Sequence, residues 1–188
     1  MRKVFLTWIL VLISHICSAP NIGFRLEMLK FQSLYELFNR KYHDSEFLRF
    51  VNDLGKSESG NNWLSINLIG CFGEWQFEES TLNFIGYRKI TLKRFKASPE
   101  IFPRDLQLKA LKTLIRVNLL YLIDYEHYIG NSMNGVIITK SGMIAASHLG
   151  GAGSLQKFLN SNGRINRKDV LGTSISDYLK RFSFYDLD

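Results

Sequence analysis

Along this chain the apolar positions recur at helical rather than alternating spacing. Phe24, Met28, Phe31, Leu34, Tyr35 and Phe38 fall on one face of an amphipathic helix over residues 24–38. A second helix follows, with Asp44 placed to cap it. In it Phe47, Val51, Leu54 and Glu58 are spaced by four, three and four residues and share one face. Residues 61–77 are turn-like, punctuated by Asn61-Asn62, Asn67, Gly70 and Gly73. A short helix over 78–86 carries acids in its first turn and Gly86 at its end. The basic stretch 87–96 reads as irregular and solvated, and Ser98 as the cap of a short turn.

Pro103 opens the longest helical run, to about residue 128. Its stripe of Leu106, Ala110, Leu111, Leu114, Val117, Leu120, Tyr121 and Tyr125 is broad enough to predict a central core helix. Gly130, Asn131, Ser132, Asn134 and Gly135 break the pattern. Residues 136–138 then read as a lead into the next helix, with a brief strand as the alternative. Two short helices are expected near 154–160 and 174–182. Asn162-Gly163 stops the first, and Ser174 with Asp177 forms a capping box for the second. The expectation is a mainly α fold in one domain over residues 20–188, without internal repeats or a long linker.

The first 19 residues have a different character. Arg2 and Lys3 precede an apolar run over residues 4–13, and small residues Ser18 and Ala19 close the segment. This is the layout of a secretory signal peptide, shorter than the about 20 apolar residues of a membrane span. Cys17 raises a lipid-anchored form as the lesser alternative, because bulky Ile16 stands where a small residue is expected. Cleavage would remove Arg2, Lys3 and no acid, lowering the formal charge from +7 to +5. Excess positive charge on an exported chain, periplasmic or extracellular, suits a polyanionic partner such as the cell wall or an anionic membrane surface. Nucleic acid is disfavoured by export and by the lack of a Lys/Arg run interleaved with aromatics. Cys71 would then be the only cysteine, so the fold must rest on its core rather than a disulfide.

Candidate chemistry concentrates in residues 58–77, ESGNNWLSINLIGCFGEWQF. Glu58 extends an apolar stripe, and a carboxyl against apolar neighbours tends to keep its proton. The order Glu58-Ser59, Asn67, Gly70-Cys71-Phe72-Gly73, Gln76 and Thr81 resembles, without a gap, the signature of soluble lytic transglycosylases in the lysozyme-like superfamily. A second segment, Ala145-Ala146-Ser147-His148-Leu149-Gly150-Gly151, is similar to that family's Ala-Ala-Tyr-Asn-Ala-Gly helix end. Ser147 and His148 replace its Tyr and Asn, a form that resembles a divergent bacterial branch.

The resemblance implies a lysozyme-like helical domain whose substrate cleft lies between the Glu58 helix and residues 145–153. It implies Glu58 as the catalytic acid/base, and Ser59, Asn67, Gly73, Gln76, Ser147 and His148 as substrate-binding positions. The family's Tyr orients the catalytic carboxyl, so its absence at Ser147 leaves that role unassigned. The implied reaction is cleavage of the MurNAc-β-1,4-GlcNAc bond of peptidoglycan strands, with no cofactor, metal or obligate protein partner. The Asn166–Asp169 region lacks the spacing of a complete calcium loop.

Hydrolysis of peptidoglycan or of chitin, as in many lysozymes, is the alternative and needs a second carboxylate. Glu74, Glu78 and Glu79 are the local choices, with Glu74 expected at the surface and the other two suited to a helix N-terminus. Of the aromatics Trp63, Phe72, Trp75 and Phe77, half or more are expected in the core rather than against sugar rings. A Cys71–His148 nucleophilic pair in a wall peptidase is a different enzyme class; a lone cysteine is more often a small buried hydrophobe. A glycan-binding protein that has lost turnover is the non-enzymatic reading.

Overall fold

The computed structural model describes residues 45–187, all within one compact unit. The expected signal peptide, the amphipathic helix over 24–38 and the Asp44 cap lie outside the described residues. Within them the protein is mainly helical. Helix α1 spans Ser45–Ser59 and buries Phe47, Phe50, Val51 and Leu54, the stripe that leads to Glu58. A long loop follows, then α2, Glu79–Phe84.

Helix α3, Leu92–Ala97, forms in the basic stretch that reads from sequence as irregular. Two bonds account for it, one local and one from α2. The Thr91 hydroxyl accepts from the Arg94 amide, and Glu79 Oε2 accepts from the Leu92 amide at 2.8 Å. Phe95 then anchors the helix in the core, while Lys93, Arg94 and Lys96 stay exposed. A 3₁₀ turn at Pro99–Ile101 leads into α4, Arg104–Leu122, which a 3₁₀ segment extends through Ile123–Tyr128. Ser98 sits at the start of the first turn without a side-chain cap bond to its backbone.

A two-residue hairpin, β1 (Ser132–Met133) and β2 (Val136–Ile137), pairs antiparallel with Met133 opposite Val136. Its turn, Asn134-Gly135, has both residues at positive φ, as two-residue hairpins require. Three helices complete the fold: α5 (Lys140–Gly150), α6 (Ala152–Asn160) and α7 (Ile175–Arg181). The Ser174/Asp177 capping box at the start of α7 is present in both directions. It holds the Asp177 carboxyl below its usual range through the Ser174 hydroxyl and amide.

The centre of the fold is α5, not α4. Seven consecutive residues, Ser141 to Ser147, are buried, and α5 packs against α4, α6 and α7. Helix α4 buries only one side. Tyr121 of its expected stripe is 55% exposed, whereas Gln107 and Asn118, polar and outside that stripe, are buried. Small residues make the burial of α5 possible. A Cβ on Gly142 would lie 2.7 Å from the Leu179 carbonyl oxygen and 3.3 Å from its Cα, so α7 crosses here at backbone contact.

Two aromatic clusters tie the layers together. Phe50 of α1 meets Phe182 and Tyr185 edge-on at 5.8 and 5.3 Å, drawing α1 against the end of the described chain. Phe72, Phe77, Phe95 and Phe102 form the second cluster beneath the 60–78 loop. Phe72, Trp75 and Phe77 are therefore core, and only Trp63 of the four loop aromatics keeps partial exposure.

The close crossing of α5 and α7 leaves no room for even a methyl group. Gly142→Ala is expected to cost about 1–3 kcal/mol, because the atom in its way is backbone and cannot rotate aside. Urea denaturation of the two proteins measures it.

Candidate active site

Glu58 lies in the last turn of α1, its side chain 14% exposed, on the wall of a cavity of about 590 Å3. Asn67, Gln76, Ser147, His148 and Tyr178 contribute to the same wall. Five of the seven residues singled out from sequence are thus brought to one cavity. Ser59 and Gly73 are not on its wall; both act one layer below.

The nearest partner of the Glu58 carboxylate comes from α7. Tyr178 donates its hydroxyl to Glu58 Oε1 at 2.7 Å, across 120 residues of sequence. Burial pushes the phenol well above its ordinary value of 10, and the adjacent Glu58 charge adds to this. The phenol is therefore a permanent hydrogen-bond carrier around neutral pH. It can donate to an ionised carboxylate and accept from a protonated one. Ser147 stands where the sequence pattern has a tyrosine, and it turns away. Its hydroxyl donates to the Ile144 carbonyl, and its own carbonyl accepts from Asn118 Nδ2.

His148 is packed edge-on to Phe77, with Nε2 2.9 Å from the Trp75 carbonyl and 4.0 Å from Glu58 Oε1. A carbonyl can only accept, so Nε2 carries the proton; Nδ1 is buried without a hydrogen-bond partner. The imidazole thus holds the loop to α5 and flanks Glu58 without bonding to it. Cys71 is buried, and burial raises its thiol pKa, with the Glu78 and Glu58 charges acting the same way. That environment disfavours the thiolate a nucleophilic pair needs.

Beneath the wall, residues 72–77 form a four-residue loop closed by reciprocal bonds between Phe72 and Phe77, at 3.0 and 2.8 Å. Glu74 at its tip is fully buried, contrary to the surface position expected from sequence. Arg104 of α4 grips both carboxylate oxygens, through Nε at 2.5 Å and Nη2 at 2.8 Å. The reason is close packing against α1, where Glu74 Oε1 lies 3.1 Å from the position a Cβ on Gly55 would take.

Around this pair, bonds to α1 and α4 and bonds within the loop hold the segment in place. Gln107 Oε1 accepts from the Glu74 amide, and Nε2 donates to the Phe102 and Trp63 carbonyls. Gly73, at φ +86°, clears that amide; a Cβ would lie 2.5 Å from Gln107 Oε1. Ser59 donates to the Glu74 carbonyl at 2.7 Å and accepts from the Asn62 amide. Trp75 Nε1 donates to the Val51 carbonyl at 3.0 Å. Asn67 accepts from the Ile69 and Cys71 amides and shapes the loop entering the motif. Gln76, at φ +47°, bonds its Nε2 to the Gly73 carbonyl.

Three features were not read from sequence: Tyr178, the Glu74–Arg104 pair and the Gln107 clamp. The capping box marks the start of Tyr178's helix, but no local signal connects that residue to Glu58. Pro103 marks the start of α4, yet nothing in its periodicity separates Gln107 from a solvated glutamine.

Comparison with protein-family models, with curated proteins and with solved structures finds no match to this chain.

The two ways of breaking the buried pair should differ. Arg104→Met leaves a fully buried carboxylate unpaired and is expected to cost about 3–5 kcal/mol. Glu74→Gln leaves an arginine that is 56% exposed and already reachable by water, and should cost less, about 1–3 kcal/mol. Denaturant midpoints of the two variants give the order.

Tyr178 also makes an alkaline prediction. Its folded pKa is raised, so the unfolded chain releases the proton first. The stability from burying the neutral phenol is fully present below pH 10 and is lost as pH rises above it. Unfolding free energies measured on either side of that pH should fall less steeply for Tyr178→Phe than for the unsubstituted chain.

Proposed function

We propose that this chain is a peptidoglycan-cleaving glycosidase of lysozyme-like type, and most simply a lytic transglycosylase acting outside the cytoplasmic membrane. One observation carries the reading: Glu58, at the end of an apolar stripe, lies on a cavity wall with its carboxyl held by a buried tyrosine hydroxyl. The motif register that resembles the transglycosylases supports it independently.

In this reading Glu58 donates its proton to the glycosidic oxygen as the bond to the anomeric carbon breaks and oxocarbenium character develops. The resulting Glu58 carboxylate then takes the proton of the sugar's C6 hydroxyl. That oxygen closes on the anomeric carbon, giving a 1,6-anhydro product and restoring the protonated acid. Neither water nor a second carboxylate enters the balance. Tyr178 keeps the carboxyl oriented in both halves, and thereby fills the role that Ser147 cannot.

Hydrolysis is the second reading, favoured by one specific residue. Glu74 is committed to Arg104 and Glu79 to the start of α3, whereas exposed Glu78, which accepts from the nearby Ser80 hydroxyl, lies on the cavity wall. Hydrolysis would therefore use Glu78 as the second carboxylate.

Mass spectrometry of soluble products from purified peptidoglycan tests the proposal. Anhydro-muropeptides are expected, and Glu58→Gln should lower their release by roughly 10²–10⁴-fold. Tyr178→Phe should lower kcat by roughly tenfold or more, the worth of one hydrogen bond to a charged group. Reducing-end products that disappear in Glu78→Gln would replace transglycosylation by hydrolysis. Bound sacculi without released fragments would leave a wall-binding protein.

A further inference from the structure

The cavity carries a charge arrangement that acid/base chemistry at Glu58 does not use. Arg167, Lys168 and Arg181 all line it. Elsewhere Arg49, Arg104 and Lys109 pair with Glu46, Glu74 and Asp105. Among the described residues none of the three cavity cations has a carboxylate within ion-pair distance.

Their placement is built by the fold. Arg181 Nη1 donates to the hydroxyl of Ser57, the residue before Glu58, at 2.7 Å. Its guanidinium carbon lies 5.5 Å from the Tyr178 ring centroid. One arm of the guanidinium is thus fixed beside the reacting carboxyl, leaving other N–H groups to spare. Arg167 and Lys168 lie in the loop bonded to the start of α7. The Arg167 carbonyl accepts from the Ile175 amide at 3.0 Å, and Lys168 bridges to Ser174.

Three acids, Glu58, Glu78 and Asp169, also line the cavity. Asp169 Oδ1 accepts from the Leu171 and Thr173 amides. Asp177, whose charge faces Lys168 and Arg181, commits Oδ2 to the Ser174 amide and hydroxyl. Glu58 is held by Tyr178, and Glu78 stands on the wall beside Cys71. A neutral N-acetylglucosamine polymer offers these cations only hydroxyl and acetamide oxygens, without an opposite charge. A glycan whose sugars carry carboxylates does, and arginine suits a carboxylate by matching both oxygens.

We propose that Arg181, Lys168 and Arg167 form an anion subsite next to Glu58 that binds a carboxylate carried on a sugar of the glycan, selecting acidic N-acetylated strands over neutral ones. The subsite rests on the glycosidase reading of Glu58. The carboxylate comes either from the lactyl ether of muramic acid or from a peptide attached to it.

The test reads binding without turnover. Fluorescence anisotropy is measured with Glu58→Gln protein and labelled tetrasaccharides: chitotetraose, peptide-free GlcNAc–MurNAc glycan, the same glycan with its carboxyls amidated, and the peptide-bearing form. A carboxylate-bearing glycan is expected to bind about tenfold tighter than its amidated form or chitotetraose, an advantage that fades as salt rises. Arg167→Gln/Lys168→Gln, at two exposed positions outside the core, should remove most of that advantage, as should Arg181→Gln separately. An advantage seen with the peptide-free glycan assigns the lactyl carboxylate; one confined to the peptide-bearing form assigns the peptide. Equal affinity for all four glycans, no measurable binding, or an advantage that survives both sets of substitutions would overturn the subsite. If the unsubstituted chain releases no glycan fragments while the carboxylate advantage holds, the glycosidase reading fails and the subsite stands.

Discussion

An ionised carboxylate without solvent access is tolerated only when its charge and lone pairs are met, and Glu74 meets that condition through Arg104. The rest of the site is arranged on this one pair. The Glu74 amide is held by Gln107, its carbonyl by Ser59, and its side chain fits over Gly55. The loop that shapes the cavity is thereby bonded to both α1, which carries Glu58, and α4. Helix and loop cannot shift independently, because each polar group left behind would be buried without a partner.

The second constraint is the close crossing of α5 and α7. A glycine at position 142 lets α7 approach to backbone contact, which places Tyr178 within hydrogen-bond reach of Glu58 and Arg181 beside Ser57. One short helix therefore supplies the group that orients the carboxyl and a cation that flanks it. Its capping box and the bridge between Lys168 and Ser174 fix where that helix begins. The orienting tyrosine and the positive side of the cavity are thus consequences of the same packing.

His148 and Ser147, neighbours on α5, bond in different directions. The imidazole bonds the Trp75 carbonyl and so joins α5 to the loop, while Ser147 closes on its own helix. In the proposed chemistry, the role that the transglycosylase-like pattern gives to a tyrosine on α5 falls to Tyr178 on α7, which bonds the Glu58 carboxylate. For the chemistry proposed here, the position of the hydroxyl matters and the element that carries it does not.

The sequence alone determined what is local. The stripe that ends in Glu58, the glycine and asparagine turns, the capping box and the mainly α character all follow from neighbours within a few positions, where periodicity and capping act. Only the tertiary structure decided what covers each polar group. It buried Glu74 against Arg104, turned Gln107 inward, made α5 rather than α4 the centre, and brought Tyr178 to Glu58 from 120 residues away. Burial of a side chain depends on which distant element packs over it. Two residues of the same type at the same spacing therefore read alike in sequence until the packing separates them.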